Sequence, residues 1–130
     1  QEVVTWENPF SAGERREMVS AGLAAASIEP RAVVAVEDIN DDGRWVAHVI
    51  AWLGPFDCVY SANTLVQRLS HEAGYPVTAV ELQNRQAWEG AAIRQALAAA
   101  GEWEAALQPE VAALVHRYGG PERLRSLAPK

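Results

Sequence analysis

Asp38 and Trp45 are the first residues of this sequence whose types and spacing suggest ligand binding. Asp38 closely follows an unbroken apolar run, Ala32 to Val36, and Trp45 comes seven residues after it. A carboxylate at a strand end can accept hydrogen bonds from a ligand amide or hydroxyl, and an indole offers a flat face to a heteroaromatic ring. A capping Asp38 and a core Trp45 are the competing interpretation, which the spacing of this pair alone favours.

Ser61, Ala62 and Asn63 form a second candidate site, after a short apolar segment. Small residues there would let the backbone approach a nucleotide, with the N–H groups of a helix start facing a polar group or phosphate. An ordinary helix N-cap explains the same residues equally well. Both interpretations stay open at this stage.

Arg94 is a third candidate, because it lies near the predicted start of a helix that Gly90 precedes. The guanidinium fork matches phosphate oxygens in pairs, so an arginine beside free helix N–H groups suits a polyphosphate. Arg85, on the preceding loop, is a candidate for the same anion. The alternative for both is a solvated surface charge.

The remaining reactive residues form no recognisable catalytic or metal-binding pattern. His48, His71, His116 and Cys58 share no metal-ligand spacing, so no protein metal site is expected. The sequence has no G-x-S-x-G motif, no P-loop and no Gly-rich dinucleotide fingerprint. Cys58 and the stripes of aliphatic and tryptophan residues are predicted to be core.

Composition narrows the class of protein. The 130 residues fit a single domain over 1–130, and the charge of −6, from 11 basic and 17 acidic residues, lacks the basic footprint of a nucleic-acid binder. One cysteine excludes an internal disulfide and is typical of a reducing cytosol. No stretch resembles a signal peptide or a membrane span. We expect a cytoplasmic protein without nucleic-acid or membrane binding.

The pattern of apolar residues predicts alternating helices and strands. A capping box at Ser11 and Glu14 starts a helix to about Ala26, and Ala32 to Val36 is predicted as a strand buried on both faces. The further predicted elements are a helix from Trp45 that Gly54-Pro55 ends, a strand at Asp57 to Tyr60, a helix closed by Gly74, a strand at Val77 to Leu82, a helix to about Ala100, and a helical tail from Trp103. This order predicts an α/β fold whose parallel sheet has right-handed crossovers.

Several short motifs, read in order, resemble those of the archaeal-type nicotinamide mononucleotide (NMN) adenylyltransferases of the nucleotidylyltransferase superfamily. The resemblance covers essentially the whole chain. The matching segments are Glu7-Asn-Pro-Phe-Ser-Ala-Gly-Glu-Arg15, Asp38-Ile-Asn with Arg44-Trp-Val46, Pro55-Phe-Asp-Cys-Val-Tyr-Ser-Ala-Asn63, Leu65-Val-Gln-Arg-Leu69, Asn84-Arg85, Glu89-Gly90, Ile93-Arg94 and Glu122-Arg-Leu-Arg125.

The resemblance implies a Rossmann-like nucleotidylyltransferase fold and an enzyme of NAD biosynthesis. Such an enzyme transfers AMP from ATP to NMN, giving NAD and pyrophosphate, with Mg²⁺ accompanying ATP. By this resemblance Asp38 and Ile39 would contact the nicotinamide amide, and Trp45 would stack on the pyridine ring. Arg94 would be catalytic by holding the phosphates of ATP, and the other ATP-binding residues would be Ser61, Ala62, Asn63, Arg85, Gly90 and Ile93. A homo-oligomer is also implied.

The sequence departs from the family pattern in ways that affect catalysis. The superfamily's Gly-x-Phe-x-Pro-x-His-x-Gly-His-type motif is absent, so we expect the first strand, the first helix and most of the second strand to lie before Gln1, and the chain alone to be inactive. Ala91 and Ala92 replace a usual Thr-Glu, Gln95 replaces a frequent second Arg, and Ala62 and Thr64 replace a common Gly and Pro. These changes bear on ATP handling more than on mononucleotide binding.

Two alternative functions remain at the level of sequence. One is a noncatalytic nucleotide-binding module of the same fold, and the other is a related adenylyl- or cytidylyltransferase acting on another small phosphate ester. The sequence also leaves open the preference between the amide mononucleotide and its acid analogue, the preferred metal and the oligomeric state.

Overall fold

The computed structural model describes residues 3–36, 39–82 and 88–129. Its contacts divide the chain into two compact units, one formed by 1–35 and 84–130 and the other by 36–83. Each unit is described by itself below. The predicted single domain over 1–130 stays a prediction.

The first unit is helical and begins with α1, Ala12–Ala25. Its capping box is confirmed, because the Ser11 hydroxyl accepts a hydrogen bond from the backbone N–H of Glu14 while the Glu14 carboxylate accepts one from the N–H of Ser11. The unit continues with α4, Gly90–Ala98, α5, Pro109–Arg117, and α6, Gly120–Leu127, preceded by a short 3₁₀ helix, Glu104–Ala106. The predicted helical tail is therefore confirmed.

One apolar cluster holds these helices together. It contains Leu97 of α4, Trp103, Ala112 and Val115 of α5, and Leu124 of α6, which is fully buried. Helix α4 packs against α6, α5 packs against both α1 and α6, and Gln108 donates a hydrogen bond of 3.0 Å to the carbonyl of Gly22 in α1. The cluster fixes α4, the helix that carries Arg94.

The second unit contains the sheet. Strands β1, Val59–Ser61, and β2, Val77–Ala79, pair in parallel with Val59 opposite Val77, and α3, Thr64–Glu72, connects them and packs on both. Asn63 caps α3 through its side-chain oxygen, and Gly74 follows the helix at a φ of 87° that favours glycine. The prediction of an α/β fold with a parallel sheet flanked by helices is confirmed.

Helix α2, Trp45–Leu53, precedes β1 and continues directly from a 3₁₀ turn, Asp42–Arg44. It ends as predicted at Gly54, whose φ of 79° a side chain would strain. The prediction that the tryptophan stripe is core is wrong for Trp52, because its side chain is 54% exposed. Of this helix, Val46 is the residue that is buried.

The predicted strand from Ala32 to Val36 is wrong as a secondary-structure assignment. The described residues of this segment form no strand, and Val34 is 38% exposed instead of buried on both faces. A strand is stabilised by hydrogen bonds to a neighbour, and within the described ranges β1 and β2 pair with each other alone. An apolar run without a neighbouring strand cannot form the interstrand hydrogen bonds that define a strand.

Candidate functional site

Trp45 opens helix α2 and is half-buried. The backbone reaches it through Asn40, which holds a left-handed φ of 52°, and through the 3₁₀ turn that starts at Asp42. Asparagine tolerates this conformation better than most residues. The chain therefore makes a tight polar bend and presents the indole at the first turn of a helix.

Trp45 and Asn63 line the same cavity, of about 390 Å³, in the second unit. Its other lining residues are the polar Asn40 and Asp42 and the apolar Leu65, Val66 and Leu69 of α3. The structure thus brings together an aromatic ring predicted for the mononucleotide and an amide predicted for ATP. A flat aromatic face beside a few polar groups is typical of small-ligand sites.

Ile39 lies elsewhere in the same unit. It lines a neighbouring cavity of about 510 Å³ with Asp41, Gly43, Arg44, Ala47 and His48. Two of the residues predicted to contact nicotinamide therefore line different cavities in this structure, Trp45 the first and Ile39 the second. His48 also packs edge-on against Trp52, with their ring centroids 6.4 Å apart.

The turn Ser61-Ala62-Asn63 joins β1 to α3 through local hydrogen bonds. The Asn63 side-chain oxygen accepts from the N–H of Val66 at 3.1 Å, and the Ser61 hydroxyl accepts from the N–H of Asn63 at 3.0 Å. Gln67 donates through its side chain to the carbonyl of Ser61 at 2.7 Å. The N-cap interpretation is thus correct, and it leaves the Asn63 side-chain nitrogen as a donor near the cavity.

Arg94 lies on α4, in the helical unit, where its environment is unusual for a surface arginine. Its Nε is buried and has no hydrogen-bond partner among the described residues. A Cβ on Gly90 would lie 2.9 Å from the Arg94 Nη1, so the glycine lets the guanidinium lie close against the start of the helix. Ile93, the adjacent predicted site residue, packs against the apolar cluster of the unit. A buried guanidinium nitrogen of this kind suits a bound anion.

Asp38 and Arg85 fall outside the described residues, so their predicted roles stay predictions. Asp42 is the charged residue of the Trp45 cavity lining, and the sequence analysis did not select it. Its spacing from Trp45 was the available signal, because residues at i and i+3 share a face of a continuous helical turn.

Metal binding and cysteine chemistry are the other possibilities to consider in the described parts of the chain. They contain no group of three or more His, Cys, Asp or Glu that could hold a metal ion. Cys58 is half-buried just before β1, and the hydrogen bond that the Tyr60 hydroxyl donates to Cys58 raises the pKa of Tyr60. No helix in those parts has both the length and the apolar character needed to cross a bilayer.

Comparison with known proteins identifies the family. The chain is 37% identical over 124 residues to the nicotinamide-nucleotide adenylyltransferase of Picrophilus torridus. The aligned region covers 95% of this chain and 73% of that protein. It is 39% identical over 121 residues to the enzyme of that name from Thermoplasma acidophilum, covering 93% of this chain and 68% of that protein.

A third relative of the same name, from Archaeoglobus fulgidus, is 35% identical over 133 residues, covering 98% of this chain and 76% of that protein. No family model matches the chain. Identity at this level along nearly the whole chain shows common descent. The chain therefore belongs to the family of the archaeal nicotinamide-nucleotide adenylyltransferases.

Proposed function

We propose that this chain serves an NMN adenylyltransferase, an enzyme that transfers AMP from ATP to NMN and yields NAD and pyrophosphate. The observation that carries the proposal is its membership in a family whose relatives bear that name. The cavity that Trp45 shares with Asn63 supports it independently, because it offers an aromatic face and polar groups to a heteroaromatic ligand.

The proposed reaction needs positioning and charge neutralisation more than acid–base chemistry. A phosphate oxygen of the mononucleotide attacks the α-phosphorus of ATP and forms a new P–O bond. The bond from that phosphorus to the oxygen bridging the β-phosphate breaks, and pyrophosphate leaves with the electron pair. Fixed positive groups aimed at the phosphates lower the barrier of such a displacement.

Arg94 is the residue proposed to hold the phosphates of ATP. Its Nε is buried yet unpaired within the described ranges, and leaving a charged donor unpaired is costly. Phosphate oxygens would supply the missing acceptors in paired geometry. Gly90 assists by leaving room for the guanidinium at the helix start.

Trp45 is proposed to stack on the nicotinamide ring. The ring of NMN is a cationic pyridinium, which the negative face of an indole attracts. Asp38 and Ile39 are proposed to contact the amide, although Ile39 lines the neighbouring cavity. Ser61, Ala62 and Asn63 are proposed to lie by ATP.

Mg²⁺ is proposed to enter with ATP. Mg²⁺ commonly binds substrate phosphates and waters together with only one or two protein carboxylates, so ATP would supply most of its ligands. We further propose a cytoplasmic homo-oligomer whose partners are ATP and NMN, with no role for nucleic acid or membrane.

Adenylyl transfer in the protein expressed from its complete gene tests this function. Purified protein is given Mg-ATP with NMN, or with other small phosphate esters, or CTP with the same acceptors, and NAD is read by an alcohol dehydrogenase coupling. NAD formation from ATP and NMN supports the proposal. Transfer to another ester, or from CTP, in preference to NMN would indicate a different nucleotidyltransferase. Binding without transfer would indicate a noncatalytic module.

A further inference from the structure

We propose that Asp42 selects the amide form of the pyridine mononucleotide over the acid form. This inference rests on the proposed function, because it concerns the ligand that stacks on Trp45. It assigns a specificity role to a residue that none of the motifs above includes.

Asp42 carries the one charge among the described residues that line the Trp45 cavity. It is the first residue of the 3₁₀ turn that runs into α2, three positions before the indole. The nearby charges Asp41 and Arg44 line the neighbouring cavity with Ile39 instead. A ligand that stacks on Trp45 therefore lies in a cavity whose described lining carries one negative charge, that of Asp42.

The two mononucleotides differ at one substituent of the ring. In the amide form a neutral carboxamide accompanies the pyridinium charge, and its NH₂ can donate a hydrogen bond to a carboxylate. In the acid form that substituent is itself a carboxylate, which the Asp42 charge repels and to which it cannot donate. The Asp42 side chain thus favours the amide form in both respects.

Asn63 lines the same cavity and adds a second polar group to it. Its side-chain oxygen is occupied by the N–H of Val66, so its nitrogen is the atom left to face a ligand. A primary carboxamide has two N–H hydrogens to donate and an oxygen with two lone pairs, so contacts with Asp42 and with Asn63, which is also proposed to lie by ATP, are compatible with those proposed for Asp38 and Ile39. A carboxylate offers two acceptors and leaves the Asp42 oxygens unmatched.

Isothermal titration of the chain with nicotinamide mononucleotide and with nicotinic acid mononucleotide tests the inference. We expect wild type to bind the amide more tightly, and Asp42→Asn to lower the ratio of amide to acid affinity by about fivefold or more, as removal of a like charge near 4 Å predicts. Asp42→Ala is expected to lower the same ratio without adding a donor. Asp41→Asn makes the same charge change beside the neighbouring cavity and is expected to leave the ratio unchanged.

The possible outcomes distinguish a failure of the Asp42 inference from a failure of the proposed function. Preference for the amide in wild type that persists in both Asp42 variants overturns the role of Asp42 and leaves the proposed function intact. A ratio that changes with Asp41→Asn but not with Asp42→Asn also overturns it, since the ring would then occupy the Ile39 cavity. No binding of either mononucleotide to folded wild type overturns the proposed function together with the inference.

Discussion

Arg123 donates two hydrogen bonds to the carboxylate of Glu14, at 2.6 Å and 3.0 Å, across 109 residues of sequence. Arg123 also donates to the carbonyl of Pro9 at 3.0 Å, and its guanidinium lies 5.6 Å from the centre of the Phe10 ring. Glu14 is at the same time the carboxylate of the capping box of α1. The pair therefore connects α6 to the first turn of α1. Glu14 and Arg123 both lie in the motifs matched above, and this contact gives each of them a structural role.

Replacement of Arg123 by Ala is expected to destabilise the protein by about 2 kcal/mol, because a charge-assisted pair is lost and the half-buried Glu14 keeps its charge. Both side chains are mostly shielded, with 26% and 21% exposed. Arg125→Ala is the matched control, since its contact with Glu122 is longer, at 3.5 Å, and more exposed. We expect the control to change stability by at most about 0.5 kcal/mol. Urea unfolding measures both variants, and equal losses would contradict the assigned role of Arg123.

The stabilisation from this pair is expected to disappear in acid. Hydrogen bonding from Arg123 holds the pKa of Glu14 below its ordinary value of 4.5. A lowered folded-state pKa adds stability that is complete above the unfolded value and is lost as the pH falls through the folded value. The free-energy difference between wild type and Arg123→Ala should thus be large at neutral pH and shrink below about pH 4. A difference that stays constant down to about pH 3 would contradict this linkage.

A hydrogen bond between Tyr118 and Glu17 makes stability depend on pH on the alkaline side. Burial, followed by the hydrogen bond from its hydroxyl to Glu17, raises the pKa of Tyr118 to about 12. A raised pKa contributes stability below the unfolded value, which is lost as the pH rises through the folded one. Tyr118→Phe should consequently lose less stability than wild type between about pH 10 and pH 12, and parallel alkaline unfolding curves would argue against the contact.

Arg94→Ala is expected to weaken Mg-ATP binding by about tenfold or more, because charge-assisted hydrogen bonds to phosphate are lost. NMN binding should change little. Arg94→Lys keeps the charge but not the paired geometry, so we expect it to restore ATP binding only in part. Arg125→Ala again controls for the loss of a positive charge in the same unit. Calorimetric titration distinguishes the possibilities, and equal losses of ATP and NMN binding would indicate that Arg94 acts structurally.

Local signals in the sequence predicted most helix boundaries, because a cap or a terminating glycine acts within a few residues. Ser11 and Glu14 predicted the start of α1, Asn63 the start of α3, and Gly54 and Gly74 the ends of α2 and α3. The order of strands and helices likewise predicted the parallel pairing of β1 with β2.

Features that depend on distant residues were not predictable in this way. The apolar run Ala32 to Val36 has the composition of a strand, but pairing needs a neighbour, which sequence patterning cannot supply. The contact of Arg123 with Glu14 joins residues 109 positions apart. For the site, Trp45 and Asn63 were selected separately, whereas their shared cavity and the position of Asp42 within it depend on the packing of α2 beside α3.

Titration of tryptophan fluorescence with NMN tests the central claim, that the mononucleotide ring stacks on Trp45, most directly. Trp52→Ala is the matched control, because Trp52 lies on the same helix with a side chain that is 54% exposed. We predict saturable quenching in wild type and in Trp52→Ala, and no quenching in folded Trp45→Ala. Unchanged quenching in Trp45→Ala, or no quenching of wild type at saturating NMN, would contradict the account.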